Sequence, residues 1–276
     1  MRRIMNMPGR IIDSNIEIGK STMNYVSFGK GSKPLVIIPG LSDGLRTVKG
    51  SGLMLWFFYK AYARDFRIWV FSRKNNLEPE YTTRDMAGDQ AEAMDKLGLD
   101  TAYIMGVSQG GMISQWLAID HPEKVKKLAI VISLARQNEV IQKVVTNWID
   151  LAEKEKFGEL SIDTMEKSFT EKYLKKYRLF LSLIKAIDKP QSKERFLIQA
   201  NSCLTHNAYE QLSEIKCPTF IIGGGSDQVV GGPEVQEEMA AAIEDSRLKI
   251  YPHLGHGAYA EAPDFNEQIL NFYKTI

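Results

Sequence analysis

The sequence predicts an α/β protein: a mostly parallel central sheet flanked by helices, with an all-helical cap inserted after the sixth strand. Three observations predict it. Short apolar runs alternate with segments of helical spacing up to about residue 135, and again from about residue 216 to the end. The stretch from Arg136 to Ile215 holds helical stripes and no strand-like run. Finally, Ala102 to Gly111 reads Ala-Tyr-Ile-Met-Gly-Val-Ser-Gln-Gly-Gly, which is a strand, a sharp turn and the start of a helix, with Ser108 at the apex. Residues 1–135 and 216–276 are therefore expected to form the core domain, and residues 136–215 a cap or lid.

Each element has its own signal. Ile11 to Phe28 alternates loosely and is followed by Gly29 and Gly31, which predicts an antiparallel strand or hairpin at the sheet edge. Leu35-Val36-Ile37-Ile38, closed by Pro39-Gly40, has the continuous apolar character of a buried parallel strand. The aromatic segment Leu53 to Tyr62 reads as a helix and Phe66 to Phe71 as the next strand. Met86, Ala87, Ala91, Met94 and Leu97 share a helical face, with Thr82 or Thr83 as cap and Gly98 as stop. The helix after Ser108 ends near Asp120-His121-Pro122, and Val125 to Ser133 is a strand.

In the insertion, Val140, Val144, Trp148 and Leu151 form one stripe. Met165, Phe169, Tyr173, Tyr177, Phe180 and Ile184 form a second, and Phe196, Ala200 and Leu204 a third. Alternation then resumes: strand Pro218 to Gly223, helix Glu234 to Ile243, strand Arg247 to Tyr251, closing helix Phe265 to Tyr273.

The 276 residues can bury a large core, and composition is ordinary, with 44% hydrophobic and 25% charged residues. A net charge of +1 gives no pointer to nucleic acid or to an anionic membrane surface. Cys203 and Cys217 are the only cysteines, too few for a disulfide framework and without zinc spacing. Met1 to Arg10 lacks the apolar stretch of a secretory signal, and Leu53 to Tyr59 is too short to span a bilayer. These features predict a soluble cytoplasmic protein without membrane insertion; a small-molecule substrate, no metal or cofactor, and a possible homodimer are further expectations that composition does not itself set.

Gly106, Ser108 and Gly110 form a Gly-x-Ser-x-Gly pattern. At so sharp a turn, side chains two before and two after the serine would collide; glycine removes them and leaves the hydroxyl exposed. The following helix presents its positive end to a developing oxyanion. A serine hydroxyl needs a base, and the base an orienting carboxylate. Asp227 follows the strand Phe220-Ile221-Ile222, and His256 stands in Gly255-His256-Gly257, so the candidate order is Ser108, Asp227, His256. Asp43 is the main rival carboxylate. His121 reads as a helix-end residue, His206 as a lid or surface residue, and His253 with His256 lacks a third metal ligand.

With these residues in view, the chain resembles the α/β-hydrolases that carry a helical cap, near the branch of esterases and carbon–carbon-bond hydrolases. The resemblance runs from about Tyr25 to the end. It rests on Gly106 to Gly111, on His121-Pro122-Glu123-Lys124-Val125, on Pro218 to Gly223 leading to Asp227, and on Gly255-His256-Gly257. It implies an oxyanion hole made by the amides of Gln109 and Leu41, with Ser42 as an alternative to Leu41. The sequence departs from the family pattern twice: Pro39-Gly40 stands where His-Gly is frequent, and Ser72-Arg73-Lys74-Asn75 replaces an aspartate-and-glycine turn. The activity implied is hydrolysis of a small to medium carboxylic ester through an acyl-enzyme. Hydrolysis of a diketone carbon–carbon bond and non-catalytic ligand binding are the alternatives. Trp56 with Phe57 and Phe58, and Trp148, Phe169, Tyr173 and Phe180 of the insertion, are candidates to line the substrate pocket.

Overall fold

The computed structural model describes residues 10–176 and 190–275. Eight strands form one sheet in the order β1-β2-β4-β3-β5-β6-β7-β8. The strands are β1 (Ile12–Ile18), β2 (Ser21–Phe28), β3 (Lys33–Ile38), β4 (Phe66–Lys74), β5 (Ala102–Val107), β6 (Val125–Val131), β7 (Thr219–Gly224) and β8 (Ser246–Tyr251). β1 and β2 make the expected antiparallel edge, and β2 pairs antiparallel with β4; every other pairing is parallel. The four residues Leu35 to Ile38 are fully buried, as a central strand covered on both faces requires.

One face of the sheet packs against the helices Thr83–Lys96, Gln109–Asp120 and Pro233–Ala242, through Met86, Ile113, Leu117 and Met239. The other packs against Phe265–Lys274 and the inner side of Gly52–Tyr59, around Phe28, Ile37, Phe66 and Tyr273. Thr82 caps the first of these helices in a reciprocal box with Asp85.

Among the described residues, no strand lies between β6 and β7. The chain there forms helices Glu139–Glu153, Phe157–Ser168 and Lys193–Thr205 and a 3-10 turn at Tyr209–Glu214. Their stripes meet in a third apolar cluster that includes Val144, Trp148, Leu160, Phe196, Ala200 and, from the sheet side, Leu41 and Met112. Tyr177, Phe180 and Ile184 of the predicted second stripe lie outside the described residues, as does most of the amino-terminal segment.

His206 corrects the surface half of its expectation; it ends helix Lys193–Thr205, within the segment predicted as the lid. It is not a surface residue: it is buried, with Nδ1 2.9 Å from Thr83 Oγ1 and its ring edge-on to Trp116. Burial pulls its imidazole down to about 3, against a smaller opposing effect from the Leu134 backbone. A histidine held neutral in the fold but free to protonate when unfolded contributes stability that is complete above the unfolded value of ~6.5. That contribution is lost as pH falls toward 3. Asp89 acts in the opposite sense, because burial raises its carboxyl to about 6, so its contribution is lost as pH rises through that value. His206→Gln removes only the first effect. The stability advantage of wild type over His206→Gln, read from urea midpoints, is expected to shrink by roughly 2–3 kcal/mol between pH 6.5 and 4.5.

Candidate active site

The turn after β5 is as sharp as its sequence requires. Ser108 has φ 55 and ψ −119, a left-handed backbone that a non-glycine residue adopts only under constraint. A Cβ at Gly106 would lie 2.3 Å from Gly110 O, and one at Gly110 would lie 1.9 Å from Ile38 O, so both positions exclude any side chain. Ser133 braces the turn by donating its hydroxyl to Ser108 O at 2.8 Å, and the preceding Ile132 is itself held at φ 45. Nothing local in the sequence marked Ser133.

The three predicted residues come together. His256 Nε2 lies 2.9 Å from Ser108 Oγ, and His256 Nδ1 lies 2.8 Å from Asp227 Oδ2. Asp227 is buried, and its other oxygen accepts from the N–H groups of Val229 at 2.8 Å and Val230 at 3.1 Å. Those amides fix the carboxylate so that one oxygen is left to orient the ring. Ser108 is delivered by β5, Asp227 by the loop after β7 and His256 by the loop after β8, all at the carboxyl end of the parallel strands.

Asp43, the rival carboxylate, has other partners. Its Oδ2 accepts from the backbone N–H of Arg73 at 3.0 Å and from Arg195 Nη2 at 2.6 Å. Arg195, on helix Lys193–Thr205, also donates to Asp43 O, to Arg73 O at 3.0 Å and to Lys74 O at 3.2 Å. Arg73 in turn donates to Pro39 O at 2.6 Å and to Gln109 Oε1 at 2.7 Å. Asp43, Arg73 and Arg195 are all buried. Burial alone would push the Asp43 carboxyl up, but Arg195 and Arg73 outweigh it and hold it below the ordinary carboxylate range. Burial pulls Arg73 down to about 10, which leaves it charged at neutral pH.

This network explains both departures noted in the sequence. The loop Pro39 to Leu41 and the one-turn helix Ser42–Leu45 that follows it are clamped by a guanidinium from the end of β4 and by a second from helix Lys193–Thr205. The same loop runs against the serine: a Cβ on Gly40 would be 3.3 Å from Ser108 Cβ. Gln109, first residue of the helix behind Ser108, has a backbone N–H that the helix itself leaves without a partner. Its side chain donates to Gln199 O at 2.7 Å and Ser202 Oγ at 3.1 Å on the insertion.

A cavity of about 260 Å³ opens beside this loop, lined by Leu41, Ser42, Leu45, Trp148, Leu160, Ser161, Thr164, Met165 and Phe196. Trp148 is held there by its Nε1–H, which donates to Asp163 Oδ2 at 2.7 Å. Of the other predicted lining residues, Phe169 lies against Gly257, next to the histidine, and stacks on Tyr173 with ring centres 4.7 Å apart. Trp56 is not among the residues lining this cavity; it packs on the margin of the core, as do Leu55 and Tyr59, while Phe57 and Phe58 are exposed.

Residues 33–263 match a family profile described as the alpha/beta hydrolase fold. A RutD protein of Caulobacter sp., named provisionally as a carbamate hydrolase, is 25% identical over 241 residues, covering 84% of this chain and 88% of that protein. An enol-lactonase from Burkholderia xenovorans superposes with a TM-score of 0.82 at 20% identity over 95% of this chain and all of its own. A hydrolase from Pseudomonas aeruginosa superposes at 0.81, with 22% identity over 95% of this chain and 98% of the other.

Proposed function

The chain belongs to the alpha/beta hydrolase family, and we propose that it is a serine hydrolase of small to medium carboxylic esters. The observation that carries this reading is the continuous relay from Ser108 Oγ through the His256 ring to the Asp227 carboxylate. Ser108 attacks the ester carbonyl while His256 Nε2 takes its proton. The same nitrogen returns that proton to the departing alkoxide, leaving an acyl-serine. Water then attacks the acyl-serine by the reverse sequence, and Asp227 keeps the Nδ1–H tautomer throughout. The amides of Leu41 and Gln109 hold the tetrahedral oxyanion, each worth about 3 kcal/mol of barrier.

Residues 136–215 act as the cap in this reading, and the cavity they share with Leu41 takes the acyl group. Its volume, about 260 Å³, lies at the small end of ligand pockets, and its lining is apolar. That favours a short or medium acyl chain over a long one. Met165→Ala opens the cavity with little loss of stability, because Met165 is only half-buried. The variant is expected to move the kcat/KM optimum toward longer chains, and Met165→Trp toward shorter ones, across a series of p-nitrophenyl esters.

The direct test uses fluorophosphonate labelling and ester turnover in wild type and Ser108→Ala, with a carbamate and a vinylogous 1,5-diketone as competing substrates. Labelling of Ser108 with ester turnover well above the other two supports the reading. Faster turnover of the carbamate or the diketone reassigns the substrate, and a folded protein that neither labels nor turns over any of them refutes it.

A further inference from the structure

The helix Gly52–Tyr59 reads Gly-Leu-Met-Leu-Trp-Phe-Phe-Tyr, whose only polar side-chain groups are the Trp56 indole N–H and the Tyr59 hydroxyl. A helix on a protein surface ordinarily turns a polar face to water. Here Leu55, Trp56 and Tyr59 pack on the core, yet the opposite side carries Leu53, Met54, Phe57 and Phe58 at 71%, 55%, 61% and 54% exposure. These four include two adjacent aromatic rings in edge-to-face contact, 6.5 Å apart. Scattered exposed apolar residues are normal in proteins, but a contiguous patch of large ones marks an interaction surface.

The charge around the patch says what it meets. Between Asp43 and Asp65 the chain has four basic residues, Arg46, Lys49, Lys60 and Arg64, and no carboxylate. Every exposed side chain from Arg46 to Arg64 is either cationic or apolar. Lys60 Nζ sits 4.2 Å from the centre of the Phe57 ring, so cation and apolar surface are one feature. The carboxylates at the margin are already engaged: Asp13 accepts from Gly50 N–H at 2.7 Å, and Asp65 pairs with Arg64 and Lys274. Whole-chain charge hides this local asymmetry, since acidic residues elsewhere cancel it.

We propose that this helix docks the protein on an anionic lipid surface. Leu53, Met54, Phe57 and Phe58 would enter the boundary between headgroups and acyl chains, with Lys49, Lys60 and Arg64 against the phosphates. A second copy of the chain is a poorer occupant, because two-fold pairing of the patch would set its cations against their own copies. Among the described residues no helix is long and apolar enough to cross a membrane, so the contact is peripheral. The inference is independent of the proposed ester chemistry.

The test is flotation of the full chain with vesicles of phosphatidylcholine alone and of phosphatidylcholine with phosphatidylglycerol. Binding is expected on the anionic vesicles, roughly tenfold weaker on the neutral ones, and weakened by added salt. Phe57→Ser with Phe58→Ser, and separately Lys49→Glu with Lys60→Glu, should each reduce it roughly tenfold or more while the thermal midpoint holds. Absence of binding, equal binding to both vesicles, or binding indifferent to either pair of substitutions overturns the proposal. So does a dimer in sedimentation velocity that the Phe57 and Phe58 changes dissolve, in a protein that ignores vesicles.

Discussion

Ser108→Ala is expected to lower kcat by roughly 10⁴–10⁶ and to leave KM close to its wild-type value. The reason is chemical. In the proposed mechanism the hydroxyl contributes little to holding substrate, but without it His256 would have no nucleophile to activate and no acyl-enzyme would form. Ser108 and His256 are 2.9 Å apart and act as one unit, so their losses should not add. His256→Ala alone, and the double variant, are each expected to resemble Ser108→Ala within about tenfold. What remains above the uncatalysed rate would come from the oxyanion amides and from binding. Stopped-flow measurement of the acylation burst together with steady-state turnover checks this. If the double variant loses far more than either single one, the two side chains do not work as a relay.

The second large effect is expected at the buried charge cluster. Asp43 is the one carboxylate between Arg73 and Arg195, with Oδ2 2.6 Å from Arg195 Nη2 and 3.9 Å from Arg73 Nη1. Asp43→Asn leaves two buried guanidiniums facing each other without a counter-charge. Removal of one partner from a buried ion pair typically costs about 3–5 kcal/mol. Removing Arg195 as well should recover part of that loss, because the cluster then returns to a single positive charge, the same net value as in wild type. The segment Pro39 to Asp43 carries the proposed Leu41 amide, so Arg195→Met should also reduce kcat by roughly 10²–10³ with a much smaller change in KM. Chemical denaturation of Asp43→Asn, Arg195→Met and the double variant gives the first comparison, and their kcat and KM values the second. Proportional changes in both kinetic constants would mean that Arg195 supports folding and substrate binding without placing the amide.

The serine turn and the buried charge cluster differ in how far each could be read along the chain. β3 and β5 announce themselves because each is a continuous apolar run ended by a turn, and the helix after Ser108 because glycine leads into it. The meeting of Ser108, Asp227 and His256 was legible because each lies just beyond a strand whose parallel direction fixes where that end points. The Asp43, Arg73 and Arg195 cluster had no such signature. Its members come from the one-turn helix Ser42–Leu45, a strand end and a helix far along the chain, with separations of 30 and 122 residues between neighbours in the chain. Only the oddity of Ser72-Arg73-Lys74-Asn75 stood out, and no spacing rule says that an arginine there will reach back to Pro39 O. His206 shows the same limit: a lone histidine in a helical stretch reads as a lid or surface residue, and its burial shows only when Thr83 and Trp116 are seen beside it. Trp56 stands on a helix that is apolar on every side, and periodicity cannot say which side faces the core.

An amide donor is indifferent to the side chain it belongs to, so position 109 would ordinarily be open to almost any residue. Here the Gln109 carboxamide takes a hydrogen bond from Arg73 and gives two to the insertion, at Gln199 and Ser202. Saturation mutagenesis at this codon should therefore return a nearly closed site, with Glu barred because it cannot donate and shorter amides barred because they cannot reach. A laboratory seeking to retune this enzyme would find more freedom at Met165 or Thr164 than beside the proposed nucleophile.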